Sequence, residues 1–198
     1  MKAVLASKNA HKLKEIAKIT AQFGMELVLQ SELGLDLDPD ETGTTFEENS
    51  LIKAKAVMEA SGMPAIADDS GLMVDALGGE PGVYSARYGG DRCRNDVERY
   101  EYLLQKLESV SDDCRQAKFV SVITLIYPDG KTVVARGECP GTILREARGE
   151  NGFGYDPVFF VEEDGMTMAE MSADRKNEIS HRARALQALS EKLGGSQC

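Results

Sequence analysis

The sequence predicts an α/β fold around a mixed sheet, in a single domain spanning residues 1–198. Three observations carry that prediction. The chain opens with strand, polar turn, amphipathic helix and strand, the start of a βαβ unit. Further on, helical periodicity alternates with runs of β-branched residues. One such run ends in Pro128-Asp129-Gly130-Lys131, a hairpin turn that adds antiparallel pairing.

Lys2 to Ser7 is the first strand, and Ser7-Lys8-Asn9-Ala10-His11-Lys12 the polar turn after it. In the helix that follows, Leu13, Ile16, Ala17 and Thr20 fall at i, i+3, i+4 and i+7, with Gly24 as its stop. Met25 to Gln30 is the second strand. From Ile19 to Ile52 there is no lysine or arginine, and eight acids (Glu26, Glu32, Asp36, Asp38, Asp40, Glu41, Glu47, Glu48) make most of the stretch solvated loop. Thr45-Phe46-Glu47-Glu48 is a capping box that opens a helix to about Ser61. That helix is apolar over most of its surface and therefore buried. Asn49 and Lys53 share one face of it, and a lysine there needs an anionic partner.

Pro64-Ala65-Ile66-Ala67 leads into Asp68-Asp69-Ser70-Gly71, read as a turn emerging from a core, before Leu72-Met73-Val74. A loop through Gly78–Gly82 and Tyr84–Gly90 precedes a helix from about Asn95 to Leu107. Phe119 to Tyr127 is a strand, and Thr132 to Arg136 its hairpin partner. Gly152-Phe153-Gly154-Tyr155-Asp156-Pro157 is a tight loop before the strand Val158–Val161. One last helix runs through Ile179, Ala183, Leu186 and Leu189 to Leu193.

Composition narrows the function. With 42% hydrophobic and 28% charged residues the chain folds, and at net charge −10 it repels duplex nucleic acid and anionic membranes. Its apolar runs fall far below the ~18–20 residues of a membrane helix. The four cysteines (93, 114, 139, 198) form no C-x-x-C pair, and only two histidines accompany them, so neither a zinc site nor a disulfide framework is expected. The reading is a reduced, cytoplasmic protein.

Four segments can carry chemistry. The Ser7–Lys12 turn at a helix start presents N–H groups, hydroxyl and lysines to a phosphate, although it is neither a P-loop nor G-x-G-x-x-G. Asp68-Asp69 places two carboxylates at the end of an apolar stretch, a cost that Mg²⁺ would relieve. One of the two would then accept a proton from water. Phe153 between glycines offers a face for a planar base, with Asp156 to meet ring N–H groups. Lys176, His181 and Arg182 group donors within seven positions. Each segment alone also reads as an ordinary turn, strand entry or solvated helix start. Together they describe a Mg²⁺-dependent enzyme acting on a nucleoside triphosphate.

From Val4 to about Leu193 the chain resembles the inosine/xanthosine triphosphate pyrophosphatases, which clear non-standard purine nucleotides. The resemblance rests on Ser7-x-Asn9-x-x-Lys12, Glu41-Thr42-Gly43-x-Thr45-Phe46-x-Glu48-Asn49, Lys53-Ala54, Pro64–Leu72, Pro81–Tyr88, Gly152–Pro157 and Ser180-His181-Arg182, in that order. It implies that the Ser7–Lys12 turn grips phosphates, with Lys53 helping. Glu41 and Asp69 would hold Mg²⁺, and Asp69, with Asp68 beside it, would be the proton acceptor. Ser70 would touch the substrate, Phe153 to Asp156 would embrace the base, and Lys176, His181 and Arg182 would read its 6-keto edge. Ser7-Lys8 stands where many members carry Thr-Gly, so Lys8 itself becomes a candidate phosphate contact. Water would attack the α-phosphorus of ITP, dITP or XTP, and pyrophosphate would leave. Such an enzyme keeps these nucleotides out of DNA and RNA.

We expect an elongated domain of two lobes with the substrate cleft between them. The resemblance implies a homodimer, with Pro81–Tyr88 or the Phe119–Arg136 hairpin as contact regions. The alternatives are a pyrophosphatase for pyrimidine or modified nucleotides, and a nucleotide-binding module without turnover. A haloacid-type phosphatase lacks support, because Asp-Asp-Ser-Gly does not follow its D-x-D order.

Overall fold

The computed structural model describes residues 2–21 and 24–194, without the side chains of Ala10 and His11. In chain order the elements are β1 (Lys2–Leu5), α1 (Ala10–Ala21), β2 (Glu26–Leu29), α2 (Phe46–Ser61), β3 (Ala65–Val74), α3 (Asp96–Lys106), β4 (Gln116–Ile126), β5 (Thr132–Ile143), β6 (Phe159–Val161), β7 (Met166–Thr167), α4 (Ala173–Ile179) and α5 (His181–Gly194). Seven strands form one sheet in the order β2-β1-β3-β4-β5-β6-β7. β1 is parallel to β2, with Val4 opposite Val28, and to β3, with Leu5 opposite Ile66. β6 is antiparallel to both β5 and β7. The fold is therefore α/β with a mixed sheet, as the segment order predicts. No helix among the described residues is long and apolar enough to cross a membrane.

The chain forms two compact units: Met1–Ser70 with Ser121–Gly137 and His181–Cys198, and Gly71–Val120 with Glu138–Ser180. In the first, the period-two alternation of the strands builds two apolar layers. Ala3, Leu5 and Ile66 pack with Ile16 and Ile19 of α1 and Leu186 and Leu189 of α5. Val4, Ala6, Ala65 and Ala67 pack with Ala54 and Val57 of α2. Helices thus cover both faces, and the capping box holds at α2: the Thr45 hydroxyl accepts the Glu48 N–H, and the Glu48 carboxylate accepts the Thr45 N–H.

In the second unit, Leu103 and Leu107 pack with Phe119, Tyr155, Phe159, Met168 and Met171. Arg115 is buried there because its guanidinium donates to the carbonyls of Leu107, Ile143 and Leu144 at 2.7, 2.8 and 2.9 Å. Those bonds tie the end of α3 to the end of β5.

Three expectations are corrected. Asp68-Asp69-Ser70-Gly71 is not a turn, because β3 runs through it without a break. β5 continues past Arg136 to Ile143. Its glycines admit close neighbours: a Cβ at Gly137 would lie 2.2 Å from the Ala185 nitrogen, and one at Gly141 2.4 Å from the Phe160 carbonyl oxygen. Finally, the last helix is two helices, broken at Ser180, whose backbone is extended (φ −62°, ψ 157°). Serine favours that conformation at a helix entry.

Candidate active site

Side chains alternate along β3, so Asp68 and Ser70 share the face of Ile66, and Asp69 shares that of Ala67. Asp68 meets the helices packed on its own side. Lys12 Nζ of α1 lies 2.8 Å from Oδ2, Arg182 Nε of α5 is at 3.5 Å, and Ser121 donates its hydroxyl to Oδ1 at 2.6 Å. The Ser70 hydroxyl donates to Asp68 Oδ2 at 3.1 Å and accepts from Arg182 Nη2 at 3.0 Å. Arg182 Nη1 pairs with Glu15 of α1. Burial opposes charge on Asp68, but Lys12 and Arg182, with the Ser121 bond, hold its carboxyl far below the usual carboxylate range.

Asp69 meets α2 instead. Lys53 Nζ sits 2.8 Å from Asp69 Oδ1 and 2.7 Å from Glu41 Oε1. Burial pulls the Lys53 ammonium down, and the two carboxylates more than offset it, so the amine is held above its ordinary value. Burial pushes the Asp69 carboxyl up; Lys53 and Lys12 pull against it, Glu41 adds to it, and the net direction is upward. Glu41 reaches this point because the next turn is pinned onto α2. Gly43 N–H donates to Asn49 Oδ1 at 2.8 Å, and Thr44 N–H to Glu48 at 2.7 Å.

Asp69 Oδ2 is buried with no hydrogen-bond partner. Two carboxylates gathered on one lysine, with one oxygen left over, suit a hard divalent cation that completes its shell with phosphate oxygens and water. Among the described residues no group of three or more His, Cys, Asp or Glu is placed to cage a metal by itself.

In the first turn, Ser7 Oγ accepts the Asn9 N–H at 3.2 Å, and Asn9 Oδ1 caps α1 by accepting the Lys12 N–H at 3.1 Å. The polar atoms predicted to grip a ligand thus also shape the turn. Lys8 is directed elsewhere, 2.8 Å from Asp36 and 3.9 Å from Asp38, because the acidic stretch supplies the nearest counter-charge. The side chains predicted at Ala10 and His11 lie outside the described residues.

The second unit holds the glycine loop. Asp156 is buried, and its Oδ2 accepts from Phe153 N–H at 2.8 Å and from Lys176 Nζ at 2.7 Å. Lys176 Nζ also lies 4.9 Å from the Phe153 ring centroid, a cation–π contact. Gly152 is required here: its φ is +79°, and a Cβ would fall 2.1 Å from Asp156 Oδ2. Gly154 N–H donates to Asp96 Oδ2 at 2.8 Å. The Tyr155 ring belongs to the apolar core, and its hydroxyl donates to the Ser85 carbonyl at 2.8 Å.

Lys176 is committed to Asp156 and Phe153, whereas the Arg182 guanidinium is buried against Asp68, Ser70 and Glu15. His181 is buried at the first residue of α5. Ser121, Glu15 and Asp96 were not singled out by sequence. Ser121 had a signal, as a polar residue inside the apolar run Phe119–Ile126. Asp96 had none, because an acid in a first helical turn is ordinary.

Residues 3–192 match the Ham1 family. The chain is 51% identical to the dITP/XTP pyrophosphatase of Haemophilus influenzae, over 97% of this chain and 98% of that one. It is 48% identical to the protein of that name from Clostridium perfringens, covering 98% of each. Among solved structures, the Staphylococcus aureus Ham1 protein superposes with TM-score 0.88 at 43% identity over the whole of both chains. A Coxiella burnetii HAM1 protein gives 0.89 at 42% identity, covering 98% of this chain and 99% of that one. The chain belongs to the Ham1 family.

Proposed function

We propose that this protein hydrolyses non-standard purine nucleoside triphosphates (ITP, dITP and XTP) at the α–β bond, releasing the monophosphate and pyrophosphate. The observation that carries the reading is Asp69: buried, with Oδ2 unpartnered, and set beside Glu41 and Lys53. Asp69 and Glu41 would hold Mg²⁺, which when bound stabilises negative charge on phosphate oxygens. Asp69 also accepts the proton of the attacking water. Asp68, locked by Lys12, Arg182 and Ser121, organises cations and is not the base. Lys12 and Lys53 supply positive charge for the phosphates, and the Ser7–Lys12 turn supplies donors.

The glycine loop supplies selectivity. The base stacks on Phe153, and Lys176 donates toward a 6-keto oxygen. A 6-amino group would face donor with donor and leave a buried group unpaired, a mismatch that discriminates by roughly 10⁴. The names carried by relatives at about half identity support this substrate class. Cys93, Cys114 and Cys139 are thiols outside any disulfide, which fits a reducing cytoplasm. A homodimer belongs to the same proposal, supported by the exposed ring of Tyr84 in the Pro81–Tyr88 segment.

The test is hydrolysis of ITP, XTP, ATP, GTP and dTTP with Mg²⁺, resolving both products. Monophosphate plus pyrophosphate from ITP or XTP, with ATP and dTTP nearly inert, is the expected result. Release of orthophosphate would overturn the bond assignment. Binding of ITP without turnover would favour the silent module.

A further inference from the structure

We propose that Asp96, at the start of α3, is a positioning residue that sets the purine-stacking face of Phe153; this rests on the base-binding reading of the glycine loop. Asp96 lies 58 positions from that loop, yet its Oδ2 accepts the Gly154 N–H at 2.8 Å. Its other oxygen takes Nη1 of Arg99, one turn on, at 2.6 Å. The loop is thus gripped by two carboxylates from different directions. Asp156 holds the N–H of the Gly152–Phe153 peptide, and Asp96 holds the N–H of the Phe153–Gly154 peptide.

Those two N–H groups flank the Phe153 Cα, so together they fix the plane from which the ring projects. Gly154 has φ +64°, and nothing lies within 4 Å of where its Cβ would be. The Cβ side of Gly154 is therefore open, and the Asp96 hydrogen bond ties this residue to α3. Charge-assisted bonds of this kind are the strong ones, and the bond from Arg99 aims the acceptor. Without it, the Gly154 N–H loses its tie to α3, and the stacking face is no longer pre-set before the base arrives. Ordering the loop then falls to the ligand, which weakens binding of the base and leaves the phosphate-gripping residues as they were.

The experiment compares wild type, Asp96→Ala, Asp96→Ser and Asp96→Asn. Serine keeps a polar helix start and is too short to reach Gly154; asparagine keeps an acceptor of the right length. The readouts are KM and kcat for ITP, the dissociation constant of IMP, and inhibition by inorganic pyrophosphate, which has no base. Alanine and serine are expected to raise KM and the IMP dissociation constant about tenfold, with kcat within about threefold. Pyrophosphate inhibition should not change, and asparagine should recover most of the loss. A general loosening of the fold would weaken pyrophosphate together with IMP, and that result overturns the proposal. So does wild-type IMP affinity in both the alanine and serine variants. If wild-type protein neither hydrolyses ITP nor binds IMP, the base-binding reading fails, and the role of Asp96 falls with it.

Discussion

The carboxylates of Asp68 and Asp69 leave β3 from opposite faces, the first 2.8 Å from Lys12 Nζ and the second 2.8 Å from Lys53 Nζ. Two adjacent acids therefore have different partners, different pKa directions and different work. Replacing Asp68 by Asn leaves Lys12 and Arg182 without their shared counter-charge and should cost about 3 kcal/mol of stability. Replacing Asp69 by Asn removes the proton acceptor and should lower kcat about 10³-fold with little change in stability. Urea unfolding and ITP hydrolysis on both variants check the split; matching losses in the two would merge the roles.

Lys53 bridges Glu41 and Asp69. If these acids hold Mg²⁺, turnover should vanish in excess EDTA and return with added Mg²⁺. Glu41→Gln should raise the Mg²⁺ concentration for half-maximal rate at least about tenfold. Titrating rate against Mg²⁺ in wild type and variant measures this, and superimposable curves would remove Glu41 from the metal site.

Lys176 Nζ lies 4.9 Å from the Phe153 ring centroid. Lys176→Ala should erode the preference for ITP over ATP by more than about tenfold, since the unpaired-donor penalty against a 6-amino group disappears. The ratio of kcat/KM values is the measurement. Unchanged discrimination would take the reader role from this residue.

Glu48 closes the α2 capping box, and bonds from Thr44 and Thr45 hold its carboxyl below the ordinary value. Because the folded value is the lower one, its stabilising contribution is complete above the unfolded value of about 4.3 and is lost as pH falls through the folded one. Glu48→Gln should therefore melt below wild type at pH 7, and the gap should close on acidification below about pH 4. Thermal unfolding of both proteins from pH 7 to 3 tests the sign. Thr45→Ala, which removes the reciprocal cap, should cost about 1 kcal/mol at any pH in that range.

Much of the site was legible because its signals are short-range. The capping box lies within four residues, the glycine loop within five, and the polar turn before α1 within six. Lys53 on a buried helix face announced an anionic partner from burial alone. The partners of the three donors Lys176, His181 and Arg182, close in sequence, were not legible from their spacing. The extended backbone at Ser180 ends one helix and starts another, and the cations go to separate acids.

By itself the sequence determined the element order, the chemistry available at each motif and the identity of the acids and lysines. Those follow from composition, periodicity and local caps, which act over a few residues. Only the tertiary structure decided which cation meets which carboxylate, and that Ser121, Glu15 and Asp96 take part. A strand turns successive side chains to opposite faces, and different helices cover each face. Two neighbours such as Asp68 and Asp69 are thus parted by one peptide, while Asp96 and Gly154, far apart in the chain, are joined by one hydrogen bond.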